Sequence, residues 1–239
     1  MHLRITSFLT GGLLLVATVA PAQTRFSIGP TGGVQTATVH YPENQNFPST
    51  YRPGLQAGLL ATLTFGHFAL QPAVLYSQKG YHSEGRVTYP DPDPFSLEAQ
   101  ADYRLNYVTI PLHFLYTQRA TGQGWHVLAG PYLGLLLGGH YKAQSRYLNS
   151  THIYRAEGKV VAGDLEPTAS SSAYSRRVDA GLQAGIGYRY KAALVQLTYS
   201  WGLRNVASDF TFGGTAYARP AYYNRAVQVS LAYLFISKS

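Results

Sequence analysis

From Val178 the chain alternates strictly, with Val178, Ala180, Leu182, Ala184, Ile186, Tyr188 and Tyr190 interleaved with Asp179, Gly181, Gln183, Gly185, Gly187, Arg189 and Lys191. A period of two belongs to a strand whose faces meet different surroundings, because successive side chains point to opposite sides. The next segment sets Val195, Leu197, Tyr199, Trp201 and Leu203 against Gln196, Thr198, Ser200, Gly202 and Arg204. The last sets Val227, Val229, Leu231, Tyr233 and Phe235 against Gln228, Ser230 and Ala232. Five earlier segments, at about 25–41, 53–65, 68–81, 103–118 and 125–141, carry the alternation with more noise. Within them Val108, Ile110, Leu112, Phe114 and Tyr116 oppose Tyr107, Thr109, His113 and Thr117, and Leu70, Val74 and Tyr76 oppose Gln71, Ser77 and Lys79. Eight strands are predicted.

The connections between them alternate in length. Gly66-His67, Arg119 to Gly124 and Lys191-Ala192 are short; 42–52, 82–102, 142–175 and 205–221 are long. That asymmetry predicts an all-β fold, an eight-stranded antiparallel up-and-down transmembrane β-barrel of the bacterial outer membrane, with short periplasmic turns and four long extracellular loops. The remaining residues allow about 15 per strand, more than the 9 to 11 that cross a bilayer, so the strands should project beyond the outer leaflet. Ahead of the barrel, a basic start (Met1 to Arg4), an apolar run (Ile5 to Val19) and Ala20-Pro21-Ala22 read as a secretory signal peptide over 1–22, leaving 23–239 as one barrel domain.

Composition sharpens the picture. Charged residues make up 13% of the 239-residue chain, against about 25% in soluble domains, which argues for a surface that meets something other than water. Every acid except Asp179 falls in a long connection (Glu43, Glu84, Asp91, Asp93, Glu98, Asp102, Glu157, Asp164, Glu166 and Asp209), and none lies on a predicted lipid face. Phe26, Phe65, Phe68, Tyr116, Trp125, Tyr188 and Phe235 crowd the short-turn ends as one aromatic girdle, with Tyr76, Tyr107, Tyr141, Trp201 and Tyr222 or Tyr223 toward the other interface. In a soluble lipocalin-like carrier the greasy faces would instead point inward around a ligand. Zero cysteines exclude disulfides, thiolate metal sites and Cys nucleophiles.

Pro72, Pro111 and Pro131 lie inside predicted strands, where each removes a ladder hydrogen bond, so bulges or shifted strand limits are expected there. They also sit in recognisable stretches: Leu105-Asn106-Tyr107-Val108-Thr109-Ile110-Pro111-Leu112, Ala129-Gly130-Pro131-Tyr132-Leu133-Gly134, Asp179 to Tyr188, and Tyr199-Ser200-Trp201-Gly202-Leu203-Arg204-Asn205-Val206. These resemble the successive strand motifs of the outer-membrane β-barrel family labelled PorT-like or "porin family", over the whole mature chain. The family's barrels usually finish on an aromatic residue, whereas here Phe235 is followed by Ile236 to Ser239. The resemblance implies an eight-stranded barrel in the outer membrane of a Gram-negative cell, and also an accessory role in secretion or motility as one alternative.

Eight strands enclose an interior just wide enough for side chains to fill. Gln56, Gln71, Lys79, His113, Gln183, Arg189, Gln196, Arg204 and Gln228 are the expected filling, with Asp179 the obvious partner for the cations; a narrow or closed lumen follows. No catalytic, cofactor-binding or metal-ligating residue is assigned, and no cofactor is expected. His82-Ser83-Glu84 are chain neighbours and cannot stack as nucleophile, base and orienter, while His126, His140 and His152 are too scattered for a metal site. Asn149-Ser150-Thr151 reads as loop. The basic excess (formal net charge +8) is spread singly. Arg52, Lys142, Arg146, Arg176, Arg177, Arg219 and Arg225 are placed near outer strand ends, where phosphates of outer-membrane lipids and lipopolysaccharide would sit, and nucleic acid is not expected. The sequence thus predicts a monomeric, non-enzymatic outer-membrane barrel, folded by the barrel-assembly machinery, whose surface loops serve envelope integrity or surface interaction. An outer-membrane enzyme acting on lipid or peptide is the other class left open.

Overall fold

The computed structural model describes residues 24–43, 48–89, 95–147, 152–168 and 170–236. The expected signal peptide and the Asn149-Ser150-Thr151 triplet lie outside the described residues. The strands are β1 (Arg25–His40), β2 (Ser49–Phe65), β3 (Phe68–Tyr89), β4 (Phe95–Thr117), β5 (Gly124–Tyr147), β6 (Ile153–Ala162), β7 (Leu165–Glu166), β8 (Ala173–Ser175), β9 (Val178–Tyr190), β10 (Ala193–Gly202), β11 (Asp209–Phe212), β12 (Thr215–Tyr217), β13 (Tyr223–Tyr233) and β14 (Phe235–Ile236). Eight of them pair in the order β4, β3, β2, β1, β13, β10, β9, β5, and β5 pairs back with β4, which closes the ring. Every pairing in the ring is antiparallel.

Turn chemistry sets the short connections. Gly66 takes φ +62° at the first position of its two-residue turn, where a side chain would be strained. The equivalent place in the turn after β9 is held by Lys191 at φ +54°. Gln123 of the neighbouring turn clamps this loop, its Oε1 accepting from the Lys191 amide at 2.7 Å and its Nε2 donating to the Lys191 carbonyl at 3.2 Å.

The long connections differ most from expectation. Residues 82–102 are mainly strand, since β3 and β4 stay in one unbroken register from Phe68 opposite Tyr116 to Tyr89 opposite Phe95. Likewise β5 runs on to Tyr147 and carries β6 on its edge. With 22, 23 and 24 residues, these strands are about 75 Å long at roughly 3.3 Å per residue, whereas β10 and β13 have 10 and 11. One side of the barrel is therefore drawn out into a tall β3–β6 sheet. Alternation hides this extension because, clear of the ring, both faces of the sheet are mainly polar or small, with apolar residues such as Leu97, Ile153 and Tyr154 only scattered among them, and the hydrophobic contrast that marks a strand disappears.

The prolines overturn a second expectation. Around Pro72, Pro111 and Pro131 the ladder lapses briefly and resumes in the same register, as from Leu60 opposite Ala73 to Leu63 opposite Leu70, and from Pro111 opposite Tyr132 to Phe114 opposite Ala129. A missing N–H is absorbed without an inserted residue. The register shifts fall elsewhere, between Tyr51 and Gln56 and at Asn106/Tyr107, where Leu137 is the extra residue and is turned outward.

Faces sort as the alternation requires. Leu182, Ile186, Val195, Leu197, Tyr199, Trp201, Val229 and Leu231 are exposed on the outside of the ring, while Gln183, Gln196, Ser200 and Gln228 are buried inside. All seven aromatics expected at the short-turn ends point outward. This orientation is the reverse of a lipocalin-like carrier, whose apolar faces line a pocket.

Candidate functional site

The lumen is built in layers of side chains delivered by alternate positions of the ring strands. In the half of the lumen toward the short turns, Leu60, Ala73, Leu194, Ala232 and Leu234 form an apolar cluster and Ala69, Leu115 and Leu128 another. Beside them Gln71 donates to Thr62 Oγ1 (3.2 Å), and Gln196 Nε2 donates to Gln71 Oε1 (2.9 Å) and to His126 Nε2 (3.1 Å). His126 finds room because a Cβ at Gly187 would sit 2.4 Å from its Nε2. The cavity left at this level is about 10 Å³, space for about one water.

A second polar layer follows. His113 Nε2 donates to Gln183 Oε1 (2.7 Å), and Gln183 and Gln228 both donate to Ser200 Oγ (2.7 and 3.0 Å). The third layer holds an ion pair: Lys79 Nζ lies 2.7 Å from Asp179 Oδ2 with both side chains shut off from solvent. Tyr132 Oη donates to Asp179 Oδ1 at 3.1 Å and Asn224 Nδ2 to Oδ2 at 3.0 Å. The ammonium also stands over the Tyr132 and Tyr107 rings, 4.6 and 5.2 Å from their centroids, an arrangement that offsets its desolvation.

At the mouth, Tyr81, Tyr103 and Tyr141 stack in sequence, with Tyr222 and Tyr41 continuing the run. Burial and the neighbouring Tyr222 push the Tyr41 hydroxyl up to about 12. Val206, Ala207 and Ser208 are buried above this stack, tied by Ser175 Oγ to the Val206 carbonyl (3.0 Å) and by the Val206 amide to the Tyr222 carbonyl (3.1 Å). Among the described residues, buried side chains meet across the lumen at each of these levels.

This corrects part of the expected site. Gln56, Gln71, Lys79, His113, Gln183, Arg189, Gln196 and Gln228 are all buried in the lumen. Arg204 is exposed instead, because β10 ends at Gly202 and the amides of Leu203 and Arg204 both turn onto the Ala180 carbonyl. Tyr107 is fully buried rather than part of an outer girdle, and Tyr141 belongs to the stack at the mouth; Tyr76 and Trp201 do face outward. His82 and Glu84 share the outward face, 3.8 Å apart, but Ser83 points to the other one. Among the described residues no group of three metal-ligating side chains assembles.

Outside the ring, the tall sheet carries cross-strand rows of charge on its outward face. Glu98 accepts from Arg86 and Arg146, and these two guanidiniums hold its carboxyl below the usual range. Asp102, Lys142 and Glu157 stand in one row, with Arg52 Nε at 2.9 Å from Asp102. Most of the cations expected to meet lipid phosphates are thus engaged within the chain: Arg52 and Arg146 as above, Arg176 with Asp209 (3.6 Å), Arg219 with Glu166 (2.8 Å), and Arg225 donating to the Gly202 carbonyl beside the Trp201 ring. Sequence reasoning missed a different set, Arg104, His140 and Lys159, which lie side by side in the next row down. Extending the inward-outward phase of Val108 and Ile110 back to Arg104 would have found the first of them.

A family model described as "Outer membrane protein beta-barrel domain" matches residues 21–208. The chain belongs to this outer-membrane β-barrel family. Among curated proteins no sequence matches it. Solved structures similar to this outer-membrane barrel include Ail, the attachment invasion locus protein of Yersinia pestis, crystallised with the heparin analogue sucrose octasulfate (9% identity, 88% of this chain and 99% of that chain, TM-score 0.38). Neisserial surface protein A is another (13% identity, 88% and 97% coverage, TM-score 0.36), as is the translocator domain of the autotransporter NalP from Neisseria meningitidis (10% identity, 88% of each, TM-score 0.24).

Proposed function

We propose that this family member is a closed, non-enzymatic barrel of the Gram-negative outer membrane, with its short turns in the periplasm and its tall β3–β6 sheet outside the cell. The observation that carries the reading is a continuous girdle of exposed apolar side chains around a polar, filled lumen. Water disfavours such a girdle, since exposed apolar patches on soluble monomers rarely exceed a few hundred Å², whereas hydrocarbon accepts it. A filled lumen supports a role in surface contact or envelope integrity over solute passage, with the loops and the tall sheet as the working parts and lipopolysaccharide as the surrounding lipid. The Asn106-Tyr107 and Gly130-Pro131-Tyr132 motifs support placement in the PorT-like group.

The test is electrophoresis of the detergent-extracted protein, unboiled against boiled, together with cell fractionation. A compact unboiled band in the outer-membrane fraction is expected. A soluble periplasmic protein without a heat-dependent shift overturns the reading.

A further inference from the structure

The outward face of the tall sheet is read best as rows of residues directly opposite one another. Moving toward the ring, one row holds Arg86, Glu98 and Arg146, the next Glu84, Gln100, Gln144 and Arg155, and the next His82, Asp102, Lys142 and Glu157. Each contains at least one acid. The following row is Gly80, Arg104, His140 and Lys159 and contains none.

Like charges set across neighbouring strands are unfavourable unless something neutralises them. The Arg104 side chain is 71% exposed and its one ion pair, with Asp102, is stretched to 4.0 Å, while that carboxylate already binds Arg52 through both oxygens at 3.0 and 2.9 Å. Among the described residues neither His140 nor Lys159, both exposed, has an acid within ion-pair distance. Just below, on the ring side of the row, the outward residues turn apolar on β5 and β6, at Leu137 and Val161, while β3 and β4 place Gln78 and Asn106 there. A groove of about 510 Å³ opens at this boundary, lined by Arg52, Arg104 and His140, by the amides of Gln78 and Asn106 in the next row, and by the apolar Val34, Pro53 and Leu55.

The geometry points to a seat for a phosphorylated lipid here, its phosphate held by Arg104, His140 and Lys159 and an acyl chain laid along Val34, Pro53 and Leu55. Arginine presents a planar fork that fits two phosphate oxygens and lysine adds a mobile point charge. The two flank His140 from strands about 10 Å apart, a gap that their stems close over one phosphate. A free anion would use the row alone, whereas the apolar part of the groove selects an amphiphile. The inference rests on the reading that the girdle meets lipid, and the experiment separates the two.

Purified full-length barrel in neutral detergent is titrated with a bisphosphorylated glucosamine-disaccharide lipid, with the same lipid stripped of phosphate, and with inorganic phosphate. The variants are Arg104→Gln/His140→Gln/Lys159→Gln, the single Lys159→Gln, and a control in the balanced outer row, Arg86→Gln/Arg146→Gln. At least tenfold weaker binding of the phosphorylated lipid is expected for the triple variant, about threefold weaker for Lys159→Gln, and under twofold change for the control. Dephosphorylated lipid should bind the wild type no better than the phosphorylated lipid binds the triple variant. Equal binding by wild type and triple variant overturns the site, as does an equal loss in the control or displacement of the lipid by equimolar inorganic phosphate. A wild type whose band does not shift on boiling overturns the membrane reading itself, while a heat-shifting barrel that fails to discriminate overturns the site alone.

Discussion

Lys79 and Asp179 meet across the lumen at 2.7 Å, from strands separated in the ring by β4 and β5, with 1% and 0% of their side chains exposed. Buried so completely, the pair is stable only as a pair. Removing one member leaves an uncompensated charge and costs about 3–5 kcal/mol, while replacing both with apolar residues of similar volume is often neutral. Lys79→Met and Asp179→Leu should each lower the urea midpoint of the refolded barrel, and the double variant should be more stable than either single. A double variant whose loss equals the sum of the two would show that the charges do not interact.

Layered filling of the lumen predicts an electrically silent protein. In planar bilayers the wild type should give no discrete conductance steps. Truncating the ion-pair layer alone, by Tyr107→Ala, should give none either, because the Gln71-Gln196-His126 network and the apolar cluster beside it still fill the bore. Stable openings from the wild type would show that the layers separate in the membrane.

Leu197 is exposed in the middle of β10, within the apolar girdle. An arginine near the bilayer midplane of a barrel costs about 2–4 kcal/mol. Leu197→Arg should therefore slow refolding into vesicles and lower stability by that order, while Gln144→Arg on the tall sheet should leave both unchanged. Equal behaviour of the two variants would mean that Leu197 does not face lipid.

The tip of the tall sheet should respond to acid. Arg86 and Arg146 depress the Glu98 carboxyl, so the carboxylate's contribution is complete above the ordinary value of 4.5 and is lost as pH falls below it, through the depressed folded value. Cleavage of the β3–β4 hairpin by an acid-active protease should rise steeply over that interval in the wild type. In Glu98→Gln, which has no carboxyl to protonate, cleavage should be high at the top of the range and flat. Parallel profiles for the two proteins would rule Glu98 out as the sensor.

The sequence by itself determined the ring. Alternation over Val178–Tyr190, Ala193–Gly202 and Tyr223–Tyr233 states which residues face out and which fill the bore, because a strand has two faces and a one-residue slip would bury the wrong set. It also determined the turn ends, since Gly66-His67 and Lys191-Ala192 leave no room for another connection. Only the tertiary structure decided how far the strands continue past the girdle, because in the tall sheet backbone pairing persists after the hydrophobic contrast that advertises it has gone. The same holds for partners. That Asp179 pairs with Lys79, that Arg52 is taken by Asp102 and that Arg104, His140 and Lys159 stand together unbalanced are facts of register between strands up to 100 residues apart, and register across a closed ring is fixed by closure, not by any local run of residues.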